Sequence, residues 1–155
     1  MKKKILVLLL AVFSGMLFSW SISLDYLPSA DFDSSKAFAA LNVFIPLSIN
    51  ENTVFGIVGG VEYGTSDGSV LPLLGTRADY MQKTSYGNFI ASGWGGMLMN
   101  NLDINDILYC VGLSMKYLFT FSRFPDVAIE FGFQTTRYND ESITYNLPLG
   151  VGLYF

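Results

Sequence analysis

The chain contains no histidine and a single cysteine. Without histidine there is no Ser-His-Asp or Cys-His catalysis, no imidazole ligand for zinc or haem, and no imidazole pH switch. One cysteine, Cys110, excludes an intrachain disulfide and a thiolate metal cluster. Charge is scarce as well. Asp, Glu, Lys and Arg make up 14% of 155 residues, where an ordinary soluble domain carries about 25%. Nine basic residues face thirteen acidic ones, a net of −4. That is the wrong sign for a partner made of phosphates. Helical signals are also missing beyond the N-terminus. The charge-free stretch 84–102 carries Gly87, Gly93, Gly95 and Gly96, a poor composition for a membrane-spanning or soluble helix. Apolar side chains are what the chain has in excess, at 51% hydrophobic and 15% aromatic. That composition is opposite to a disordered segment's, and the length suits one domain.

The N-terminus has three parts. Lys2, Lys3 and Lys4 form a basic start, residues 5–18 an uncharged apolar run, and Ser19, Ser21 and Ser23 a small-residue stretch. This is the layout of a secretory signal peptide. The run is short of the roughly 20 apolar residues that span a bilayer, so an uncleaved anchor is the lesser alternative. Residues 1–21 are therefore read as a signal peptide, cleaved near 19–23, and residues 22–155 as the mature domain. The absence of a nearby cysteine excludes a lipid-modified lipoprotein.

The mature region alternates with period two, which predicts strands. In 143–155, Ile143, Tyr145, Leu147, Leu149, Val151, Leu153 and Phe155 share one face. In 127–138, Val127, Ile129, Phe131 and Phe133 oppose Ala128, Glu130, Gly132, Gln134 and Thr136. In 109–121, Tyr109, Val111, Leu113, Met115, Tyr117, Phe119 and Phe121 oppose Cys110, Gly112, Ser114, Lys116, Leu118 and Thr120. Segments 39–47, 55–63 and 74–81 behave alike. Segment 86–99 reads as a strand whose phase is ambiguous around Gly95-Gly96, and 20–27 as a faint first strand with Ile22, Leu24 and Tyr26 on one face. Eight strands result. Connections are expected at 28–35, 48–52, 65–69, 82–85, 100–106, 122–126 and 139–142, where turn-forming residues gather.

The polarity of the faces decides the architecture. A soluble sandwich presents a charged face to water. Here the less apolar faces hold Gly, Ala, Ser, Thr and Asn with about one charge per strand, and the other faces are aliphatic and aromatic. That predicts an all-β fold: a single antiparallel up-and-down transmembrane barrel with a lipid-facing wall and a small lumen. A closed barrel also satisfies every backbone group inside a bilayer. With both termini on the periplasmic side, Tyr26, Tyr63, Tyr109 and Tyr145 form an outer girdle. Phe55, Tyr80, Phe121 and Phe155 form the periplasmic one. Ten residues from Tyr145 to Phe155, at roughly 3.4 Å each and about 40° of tilt, span on the order of 26 Å, close to the expected apolar band.

The terminal residues Leu149, Gly150, Val151, Leu153 and Phe155 resemble the C-terminal assembly signal of bacterial outer-membrane barrels, with Pro148 departing from it. Together with the signal peptide and strand count, the chain resembles the small eight-stranded outer-membrane barrels of the OmpX, OmpA-transmembrane and OmpW type. The resemblance implies residence in the bacterial outer membrane, with contacts to its lipid and to the barrel-assembly machinery through the last strand.

Six charges are predicted to enter the lumen: Asp25, Glu62, Arg77, Asp79, Lys116 and Glu130. A turn centred near Phe124 would set Glu130 opposite Leu118, one diagonal step from Lys116. Internal neutralisation is the preferred role, an ion path the alternative. Asp31, Asp33, Asp67, Asp103, Asp106, Asp140 and Glu141 fall in external connections without the ligand spacing of a calcium loop. Cys110 reads as an inert lumen thiol. No catalytic, metal or cofactor site is expected. The function expected is a non-catalytic outer-membrane barrel with a structural or surface-interaction role and a largely filled lumen. The first alternative is a narrow conduit for small apolar molecules, supported by inward Phe44, Val54, Val58 and Leu118 and by lumen glycines. A soluble lipocalin-like binding barrel is the second. Outer-membrane lipid enzymes are disfavoured by the missing histidine.

Overall fold

A computed structural model describes residues 20–30, 37–100, 103, 106–137 and 142–155. Residues 1–19 of the expected signal segment 1–21, and the loop acids Asp31, Asp33, Asp140 and Glu141, lie outside the described residues. The strands are β1 (Ser21–Leu27), β2 (Phe38–Ile49), β3 (Thr53–Gly64), β4 (Val70–Thr84) and β5 (Gly87–Met99). They continue as β6 (Ile107–Phe119), β7 (Asp126–Arg137), β8 (Ile143–Asn146) and β9 (Leu149–Tyr154). From β1 to β8 each strand pairs antiparallel with the next, and β9 pairs with both β7 and β1, which closes the sheet on itself. Segments β8 and β9 are two halves of one strand, so the barrel is eight-stranded.

The interruption lies at Leu147-Pro148. Proline has no N–H for a ladder bond, and a barrel has no edge on which to hide that lack. The loss is local. The Gly132 N–H still donates to the Pro148 carbonyl at 2.8 Å, and the Leu147 N–H to the Pro28 carbonyl at 2.9 Å. The pairings Gln134↔Asn146 and Glu130↔Gly150 keep the same register on either side of the break. A second irregularity, a bulge between Pro46 and Ser48, also sits beside a proline.

The alternation settles into the expected faces. The faint first strand forms, with Leu24 and Tyr26 outside and Asp25 and Leu27 buried. The ambiguous phase of β5 resolves with Ile90, Ser92, Trp94 and Leu98 inward: Ile90 and Leu98 are fully buried, and Trp94 packs on the inner apolar cluster. Outside, Leu113 is 68% and Leu24 64% exposed. Among the described strand residues facing outward, Arg137 is the one charged side chain, beside Tyr109 at the rim. Tyr26, Tyr63, Tyr109 and Tyr145 stand exposed around one rim; Phe55, Tyr80, Phe121 and Phe155 stand exposed toward the other, where Trp20 meets Phe155.

Three boundaries differ from the sequence reading. Strand β4 runs from Val70 to Thr84, and the connection expected at 82–85 shrinks to Ser85-Tyr86, because Thr84↔Gly87 still pair. Strand β2 extends to Ile49, leaving residues 50–52 as the link to β3. Strand β6 stops at Phe119, so Phe121 belongs to the link 120–125, where its N–H donates to Asp126 Oδ1 at 3.0 Å. In each case the local pattern marks the turn residues, but cross-strand pairing decides where the ladder ends.

Candidate functional site

The six predicted lumen charges all project inward and are at least nine-tenths buried: Asp25, Glu62, Arg77, Asp79, Lys116 and Glu130. Alternation on five strands places them, and the barrel radius brings them together. Lys116 and Glu130 are direct cross-strand partners, and the ammonium bonds the carboxylate. This corrects the expected diagonal step. The β6–β7 turn is centred at residue 123 because Phe119 pairs with Val127, and Leu118 faces Ala128 instead.

Arg77 and Asp79 lie two apart on β4 and form a fork: Nε donates to Oδ1 at 2.6 Å and Nη2 to Oδ2 at 2.5 Å. Nη2 also donates to the Tyr154 hydroxyl at 2.9 Å, and the guanidinium lies 4.4 Å from the Phe44 ring centroid. A planar cation with five donors is suited to this combination of bidentate, phenol and ring contacts. The group forms a plug joining β2, β4 and β9.

The two remaining carboxylates have neutral partners. Gln134 Nε2 donates to Glu62 Oε1 at 2.9 Å. Ser23 Oγ and Asn42 Nδ2 donate to Asp25 Oδ2 at 2.8 and 2.9 Å, while Asp25 Oδ1 has no hydrogen-bond partner among the described residues. Asp25, Glu62, Lys116 and Glu130 border a cavity of about 40 Å³ at mid-depth, room for about three waters. Gln134, Asn42 and Ser23 are partners that no sequence motif marks. Their inward phase was legible; their pairing depends on the register between distant strands.

Two of the lumen glycines are covered by side chains of adjacent strands. A Cβ on Gly150 would strike the Asp25 carboxylate, and one on Gly112 would strike the Trp94 ring. Their missing side chains are the space into which those neighbours pack. Apolar groups pack in two further clusters inside the barrel: Phe44, Val58, Leu71, Leu73, Leu98, Leu108 and Cys110 in one, and Ile90, Leu118 and Ala128 in the other.

The terminal-signal residues occupy β9 and its end. Leu149, Val151, Leu153 and Phe155 face outward, and Gly150 faces inward. The Phe155 N–H donates to the Trp20 carbonyl at 3.0 Å, and the two rings stack at 4.2 Å with 11° between their planes. In the described loops, Asp67 Oδ1 accepts from the Ser69 N–H at 3.0 Å. That bond holds the Asp67 carboxyl below its ordinary range. Asp106 Oδ2 accepts from Asn100 Nδ2 at 2.7 Å. Among the described residues, no three Asp, Glu, Cys or His side chains gather as metal ligands would.

No protein-family model and no curated protein matches the sequence. Solved structures do match in shape. A chain described under "De novo design of transmembrane beta-barrels" aligns with a TM-score of 0.56 and 12% identity, over 88% of this chain and 95% of the other. The Yersinia pestis outer membrane protein Ail, determined in a phospholipid bilayer nanodisc, aligns with a TM-score of 0.52 and 14% identity. That match covers 88% of this chain and 99% of Ail. The chain therefore has the eight-stranded antiparallel fold of transmembrane β-barrels.

Proposed function

We propose that this chain is a small, non-catalytic barrel of the bacterial outer membrane, exported by its N-terminal segment, with a closed lumen and a structural or surface-interaction role. The observation that carries this reading is the reversal of polarity: charges cross-linked and buried inside, and an apolar wall with aromatic rims outside. In water such an exterior would be a contiguous apolar patch far larger than monomeric soluble proteins expose. A lipocalin-like role requires a hydrophilic exterior and is not favoured. The short links 50–52, 85–86 and 120–125, at the end where Trp20 meets Phe155, suit the periplasmic side, where outer-membrane barrels have their short turns.

The test is twofold. Mature protein is expected to fractionate with outer membranes and to run at lower apparent mass unheated than boiled on a detergent gel. Wild-type protein in planar bilayers is expected to give no steady conductance. A periplasmic, carbonate-extractable protein without a heat shift would overturn membrane residence.

The second reading is a narrow conduit. The observation favouring it is that cavities lie on both sides of the Arg77–Asp79–Tyr154 plug. Reproducible single-channel steps from the wild type would select it.

A further inference from the structure

The lumen is not filled to both ends. At the rim where Trp20 meets Phe155 it opens into a vestibule of about 320 Å³. Its walls include Trp20, Phe44, Val54, Met81, Ile90 and Tyr154. Its floor is the plug, through Phe44, Asp79 and Tyr154. Arg77 does not line the vestibule; it borders the polar cavity on the far side. The vestibule is therefore a blind pocket.

Two features single it out. The first is its lining. A barrel lumen in contact with water is expected to be polar, as the mid-depth cavity is. Here Val54, Met81 and Ile90 come from three successive strands to make an apolar surface, within the size range of small-molecule sites, which favour barrel mouths. The second is its rim. Asn50, Glu51 and Asn52, in the β2–β3 link, stand with Lys83 near the opening. One acid and one base at the rim favour neither sign of ligand, and the two amides offer both donors and acceptors. Asp79, the acid at the floor, is occupied by Arg77.

We propose that this vestibule binds one small uncharged molecule, apolar in its body and carrying a single polar group that stays at the Asn50–Asn52 rim. The apolar part displaces water from the walls, and the plug stops it at Tyr154. The ligand enters and leaves by the same mouth. This inference rests on the barrel fold and its closed plug, and not on any surface role.

The probe is N-phenyl-1-naphthylamine, a neutral apolar fluorophore with one N–H. The protein is taken from cell membranes and placed in phospholipid nanodiscs. A saturable emission increase is expected, at one probe per protein, which does not grow when lipid per protein is doubled. Val54→Phe, which fills the pocket, and Ile49→Lys, which charges its edge, are each expected to weaken binding at least tenfold. Leu74→Ala, on the outer wall, is expected to leave it unchanged. Heat-shifted gel mobility checks that each variant is folded. Should Val54→Phe fail that check, Ile49→Lys carries the test, because Ile49 is 61% exposed and outside the packed clusters. Emission that scales with lipid, or saturable binding unchanged in a folded Ile49→Lys protein, would overturn the proposal. Neither outcome bears on membrane residence, which the fractionation test decides separately.

Discussion

Lys116 and Glu130 face each other across β6 and β7, with the lysine 3% and the glutamate 9% exposed. Removing one partner leaves a buried charge without its counter-ion, at a cost of about 3–5 kcal/mol; replacing both with apolar groups of similar volume is nearly neutral. Lys116→Met is therefore expected to lower the unfolding midpoint in denaturant more than Lys116→Met/Glu130→Leu does. A double mutant as unstable as the single would mean that the pair contributes through other lumen contacts. Gly150 is the complementary case. Its Cβ position is taken by the Asp25 carboxylate, which Ser23 and Asn42 hold in place. Gly150→Ala is expected to destabilise the barrel by about 1–3 kcal/mol, the usual range for overpacking. Asp25→Ala combined with Gly150→Ala should recover part of that loss in the same titration.

The elements owe their ends to single residues. In the β3–β4 turn, Gly68 has φ +70° and its N–H donates to the Gly64 carbonyl at 3.0 Å. Gly68→Ala is expected to cost about 1–2 kcal/mol, because an L side chain is strained in the left-handed region. Asp67 in the same turn has its carboxyl held below the ordinary range by the Ser69 N–H. A depressed carboxyl contributes above its unfolded pKa and loses that contribution as pH falls through the folded value. Slow exchange of the Ser69 amide should therefore persist from pH 7 to about pH 4 and fade only in stronger acid. A change in exchange protection centred at pH 6 would refute this assignment. At the seam, Trp20 and Phe155 are joined by a backbone hydrogen bond and a ring stack. Signal cleavage is expected on the N-terminal side of Trp20, which intact-mass measurement of the membrane protein will show. A mature chain beginning at Ile22 would remove the clasp altogether.

Across the whole molecule, the seal of the lumen is expected to rest on the plug. Arg77, Asp79 and Tyr154 stand between the mid-depth cavity and the vestibule. Arg77→Ala/Asp79→Ala removes both charges together and leaves neither unpaired. This variant is expected to give small conductance steps in planar bilayers where the wild type gives none. A silent double mutant would mean that the apolar cluster around Phe44 and Leu73 seals the lumen by itself.

Alternation alone assigned the inward and outward faces of β2, β3, β4, β6 and β7, and it placed all six charges inside. A strand's period is two, so each residue's face follows from its neighbours along the chain. The inversion of polarity followed from the same faces, because lipid and water demand opposite side chains. What the chain order did not contain was the register between strands. Lys116 opposite Glu130, Gln134 reaching Glu62, and Trp20 meeting Phe155 each depend on turn length, shear and closure. These set which of many inward residues share a depth. The phase of β5 was likewise ambiguous locally. Gly93, Gly95 and Gly96 have no side chain to mark a face, and pairing with β4 and β6 resolved it. Whether the lumen glycines leave a channel was also undecided along the chain. The β5–β6 register brought Trp94 over Gly112, and closing β1 onto β9 brought Asp25 against Gly150, because the side chain that fills a glycine's space belongs to another strand.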